Sequence, residues 1–134
     1  MNKGFSLIEL LVVIAIIGIL SAVGTLAYSG YVSKARKSSA VNVMQQISLA
    51  QAEFYSNIGQ YFETTSDCDV TSSNSIESIL FDGGDIISDE SGYQMCNKSI
   101  GSSYEVTAIS LRDDCTLKMS GVAGKPEEDP PGSC

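Results

Sequence analysis

Four cysteines, one glutamate inside an apolar run and a stretch rich in aspartate are the chemically distinctive residues of this 134-residue chain. Cys68, Cys96, Cys115 and Cys134 can staple a small domain through two disulfides, with three connectivities open, or bind a metal as thiolates. No CxxC pair is present, so a zinc site lacks its usual spacing. Asp82, Asp85, Asp89 and Glu90 gather carboxylate oxygens, the hard ligands that calcium prefers. Their spacing matches no EF-hand, and the expectation is a solvated acidic loop with no metal or other cofactor. Glu9 differs in kind, because a carboxylate in hydrocarbon is costly and persists only with a partner.

Histidine is absent. His-based acid–base chemistry, Ser-His and Cys-His nucleophile pairs and His-containing zinc sites are excluded with it. Neither GxxxxGK[ST] nor GxGxxG occurs, so nucleotide chemistry has no support. No catalytic residue stands out, and the chain reads as a non-enzyme. Its charge is divided unevenly. Residues 1–60 set Lys3, Lys34, Arg36 and Lys37 against Glu9 and Glu53, whereas residues 61–134 set four basic residues against fourteen acidic ones. An acidic head repels phosphate backbones, which makes nucleic acid an unexpected partner.

The elements that must position these residues follow from periodicity. Residues 5–27 carry a single charge, Glu9, and a helix of that length at about 1.5 Å per residue spans a hydrocarbon core of about 30 Å. A cleaved secretory signal has a similar outline, with Lys3, an apolar segment over 10–20 and small residues at 25–27. Two features oppose that reading. An apolar signal core has no use for Glu9, and the helical pattern continues to residue 57. Ala40, Met44, Ile47, Gln51, Phe54 and Ile58, with Val43 and Ala50 beside them, form one stripe, while Lys37, Asn42, Gln45, Gln46 and Glu53 lie opposite. Gly59 is a helix stop.

Beyond Gly59 the pattern changes. Residues 59–92 read as a long connection with a short helix near 75–81. Strands are expected over 93–97, 104–111 and 115–120, with turns at 99–103 and 113–114 and a Pro-rich tail, 125–133, without a strand pattern. The fold class is α+β: a long N-terminal helix, about 5–57, packed on a small C-terminal antiparallel sheet. Its organisation is residues 1–4 ahead of the helix, a transmembrane half 5–27, an amphipathic half 28–58 and a disulfide-stapled head 59–134.

The segment Lys3-Gly4-Phe5-Ser6-Leu7-Ile8-Glu9-Leu10 resembles the class III signal of type IV pilins and of type II secretion pseudopilins, and the likeness runs on through Gly18, Tyr28 and Tyr31. The resemblance implies that residues 1–4 are a leader, that prepilin peptidase cuts after Gly4, and that Phe5 becomes the N-methylated terminus. It also implies that Glu9 neutralises the amine of a neighbouring subunit in a helical filament. Where many members carry a helix-kinking proline this chain has Leu26. The implied partners are copies of itself or related pilins, prepilin peptidase, an inner-membrane platform and an assembly ATPase.

The implied life history is a single-pass inner-membrane protein with its head outside the cytoplasm, then an extracellular pilus. Charge counting disagrees with that orientation, since Lys34, Arg36 and Lys37 outweigh Lys3, but the cysteines agree with it. The trio has three readings: a solvated face, a contact to anionic headgroups, or a contact to acidic head residues. The expected disulfides are Cys115–Cys134 and Cys68–Cys96. The first pins the unpatterned tail and resembles the disulfide-bounded C-terminal region of many pilins. A structural pilus subunit is therefore the expected function. A secretion pseudopilin is the alternative, and a pilus-associated DNA-uptake receptor a second one that the acidic head disfavours.

Overall fold

A computed structural model describes residues 4–64, 67–87 and 91–134. These residues divide into two compact units, one reaching Ala35 and the other Arg36–Cys134. Helix α1, Leu7–Ile58, contributes to both. It begins two residues later than the apolar run because a local cap sets its start. Glu9, at the third helical position, reaches back to accept the Ser6 backbone N–H at 2.8 Å, and the Ser6 carbonyl accepts from Leu10 N–H at 3.2 Å. This is one half of a capping box, which satisfies an N–H that the helix start otherwise leaves open.

In the first unit every residue from Gly4 to Tyr31 is exposed, although most are apolar. In the second unit α1 buries one stripe: Ala40, Val43, Met44, Ile47 and Gln51. The stripe ends sooner than the periodicity suggests, for Phe54 is half-buried and Ile58 is exposed. Gly59 terminates α1 in the left-handed region, φ +83°, and its N–H returns to the Tyr55 carbonyl at 2.8 Å.

Helix α2, Val70–Leu80, starts well before the short helix expected near residue 75. Asp69 makes the difference: its side chain caps the helix by accepting the Ser72 N–H at 2.8 Å. Four antiparallel strands follow in the spatial order β1-β2-β3-β4: β1 Tyr93–Ile100, β2 Ser103–Ser110, β3 Thr116–Ser120 and β4 Glu127–Glu128. Strand β4 corrects the expectation of a tail without a strand, since Leu117 pairs with Glu128 and Lys118 with Glu127. Two residues are too few to show alternation.

Register places Met95 opposite Ala108, and Ala108 opposite Leu117, so one face of the sheet is apolar. That face joins the α1 stripe and Ile76 of α2 in a core whose Met44, Ile47, Met95, Val106 and Ala108 are fully buried. Gly121 follows β3 where a Cβ would come within 3 Å of the Tyr104 ring, which excludes a side chain there. The outward-directed groups of edge strand β1 are covered by hydroxyls. Met95 N–H donates to Ser73 Oγ at 3.0 Å and Asn97 N–H to Thr64 Oγ1 at 3.2 Å.

Candidate functional site

Gly4 and Phe5 precede α1 and are exposed, Phe5 to 84%. Glu9 is exposed in the first turn, its carboxylate held against the Ser6 N–H. The three therefore share one short stretch, with the acid turned toward the residues around the Gly4–Phe5 bond. The capping role was absent from the sequence reading, yet Ser6-Leu7-Ile8-Glu9 is an S-x-x-E signature and could have disclosed it. Among the described residues α1 is the one helix long and apolar enough to cross a membrane, and none of its most apolar stretch is buried.

The head stabilises itself by different means. Cys68 is bonded to Cys96 and Cys115 to Cys134. The second bridge ties the end of the tail to the residue before β3, and Tyr93 O–H lies 3.1 Å from Cys115 Sγ. Burial, and then the charge of Asp113, raises the Tyr93 pKa above 10.0. Lys37 of α1 pairs with Glu128 of β4, and Lys118 of β3 pairs with Asp129 at 2.5 Å. The Lys37 hydrogen bond, reinforced by the Gly132 N–H, holds the Glu128 carboxyl below its ordinary range, while the bond to Asp129 raises Lys118. Of the basic trio, Lys37 thus faces an acidic residue of its own head.

Asp82 and Asp85 lie in the segment after α2, and Asp89 and Glu90 lie outside the described residues. Among the described residues no three acidic or cysteine side chains are arranged to hold a metal ion. Two polar side chains that sequence reasoning passed over organise the connections instead. Gln51, fully buried on α1, accepts the Phe62 N–H at 2.9 Å and donates to the Phe62 carbonyl at 2.8 Å. Glu77 Oε1 accepts the N–H groups of Ile86 and Ile87 at 2.8 and 2.7 Å. A glutamine on an apolar stripe was the available signal for the first; Glu77 carried none.

Residues 1–25 match the family described as the prokaryotic N-terminal methylation motif. The chain carries the type IV prepilin motif. The type IV major pilin protein PilE of Neisseria gonorrhoeae is 42% identical over 77 residues, 58% of this chain and 46% of that protein. A fimbrial protein of Neisseria meningitidis serogroup B is 31% identical over 111 residues, 83% of this chain and 65% of the relative. The fimbrial protein EcpC of Eikenella corrodens is 48% identical over 58 residues, 43% of this chain and 38% of that protein. The chain spans about half the length of the curated relatives it matches. No solved structure matches it significantly. The prepilin motif thus coincides with Gly4, Phe5, Glu9 and the exposed half of α1, while the head is supported by its own core and bridges.

Proposed function

We propose that this chain is a prepilin whose mature form is a structural subunit of a type IV pilus and performs no catalysis of its own. The observation that carries the reading is the N-terminal methylation motif over residues 1–25, coinciding with an apolar stretch of α1 that is left unburied. Prepilin peptidase removes residues 1–4 after Gly4 and methylates the new amine of Phe5. The chain waits in the inner membrane, head outside the cytoplasm, until a platform and an assembly ATPase add it to the filament. A heterologous contact repeated along a screw axis does not close, so it yields a fibre. The relatives named as type IV major pilins and fimbrial proteins favour a pilus over a secretion pseudopilus.

Glu9 gives the reading its chemistry. In the uncut chain it accepts the Ser6 N–H, next to the position where cleavage frees an ammonium on Phe5. Inside a filament core an incoming amine would need that carboxylate, because breaking one side of a buried pair costs about 3–5 kcal/mol. Glu9→Gln keeps the shape without the charge, so cleaved protein should stay in the membrane and filaments should be few or absent. Intact mass and terminal sequencing of the mature chain test the processing step. An N-methylated Phe5 supports the proposal, whereas a start at Tyr28 would mean an ordinary secretory signal and would overturn it.

A further inference from the structure

The depth of α1 in a bilayer can be read from its polar landmarks, and this reading rests on the membrane-spanning half proposed above. From Glu9 to Tyr28 the helix advances 19 residues, about 28 Å at ~1.5 Å per residue. That distance is close to the hydrocarbon thickness of an ordinary bilayer, about 30 Å. With Glu9 at one interface, Tyr28 and Tyr31 stand at the other. They are three positions apart, hence on one side of the helix, and 70% and 74% exposed. Tyrosine has an apolar ring and a polar tip, the combination that settles at headgroup level. Lys34 follows one turn further out and is exposed. No carboxylate among the described residues pairs with it, whereas Lys37 is taken by Glu128.

We infer that Tyr28, Tyr31 and Lys34 form an interfacial anchor for the headgroups of an anionic phospholipid leaflet, which fixes the depth at which the chain waits before assembly. The tyrosine rings set the vertical position. Lys34, on a four-carbon stem, reaches the phosphate layer and gives the preference for negative lipid. One lysine near an anionic surface corresponds to about a five-fold enrichment of such lipid around the helix. A subunit entering a filament must leave this anchor, so leaflet composition becomes a control on the pool available for growth.

The test uses the full chain, with disulfides formed, in nanodiscs of phosphatidylcholine alone or mixed with phosphatidylglycerol. A spin label on Ser33→Cys reports depth, a second on Ile17→Cys reports insertion, and native mass spectrometry counts retained phosphatidylglycerol. Tyr28→Ser with Tyr31→Ser should displace the Ser33 label by about one helical turn, roughly 5 Å. Lys34→Gln should leave depth in pure phosphatidylcholine unchanged but abolish the ~five-fold phosphatidylglycerol enrichment. Unchanged depth in the double variant, or enrichment that survives Lys34→Gln, would overturn the anchor. A Ser33 depth that follows protein density would seat a second copy there and overturn it equally. An Ile17 label open to aqueous relaxation agents would refute the spanning reading itself, a separate failure.

Discussion

The two halves of α1 use the same residue types to opposite ends. Up to Tyr31 the leucines, isoleucines and valines surround the helix and remain exposed, whereas beyond Arg36 one stripe is covered, with Ala40, Met44 and Ile47 fully buried. A helix that is apolar all round needs an apolar environment on every side; a striped one needs a single partner. The first half therefore calls for an apolar environment on all sides, the second for its own sheet. Hydrophobicity alone does not distinguish a core from a surface; its distribution around the helix does.

That contrast breaks most visibly at Met44. Met44→Ala would open a cavity in a closed core and should cost about 2–5 kcal/mol of head stability, whereas Ile17→Ala should change it by less than about 0.5 kcal/mol. Urea unfolding of the detergent-solubilised chain, followed by tyrosine signals of the head, measures both. Equal losses would mean that the two halves are not energetically separate. The disulfide comes next in size. Cys115 and Cys134 close a loop of sequence separation 19, so replacing both with serine should lower head stability by about 3 kcal/mol while leaving membrane insertion unchanged. Wild-type stability of that double variant would assign the tail's anchoring to its non-covalent contacts.

Legibility from sequence tracks how far each signal is repeated. The long helix and the three longer strands declared themselves because stripes and alternation accumulate over many residues: Ala40 to Gln51 in α1, Leu117 and Met119 in β3. The Cys115–Cys134 bridge was legible because an unpatterned tail ending in cysteine needs attachment. Single side-chain events were missed. Asp69 extends α2 by a cap, Glu77 folds residues 81–87 through two backbone N–H groups, and β4 exists only because Leu117 and Lys118 offer an edge. None of these has a period. The Ser6–Glu9 cap does have a signature, S-x-x-E, but it stands inside an apolar run where a carboxylate equally suits a role between helices.

The smallest expected effect lies within the second unit, where pH separates the tail from the α1 stripe. Glu128 is held below its ordinary value of 4.5 by Lys37 and the Gly132 N–H, so its contribution to tail docking is complete above that value and disappears as pH falls through the lowered one. Lys118 is raised above 10.5 by its bond to Asp129, so its contribution is complete below that value and is lost as pH rises through the raised one. At neutral pH both are fully present. Amide exchange, corrected for its intrinsic pH dependence, should therefore speed up in acid at Gly132, whose N–H donates to Glu128 at 2.8 Å, while the buried stripe of α1 stays protected. Glu128→Gln keeps an acceptor for Gly132 but removes the titration, and should flatten the acid limb. Salt should leave much of the acid limb in wild type, because the Lys37–Glu128 contact lies well inside a Debye length of about 10 Å at 0.1 M and Glu128 still titrates. An acid limb that persists in Glu128→Gln would place the acid sensitivity of the tail on another carboxylate and leave the Lys37–Glu128 pair without a role in holding the tail to the helix.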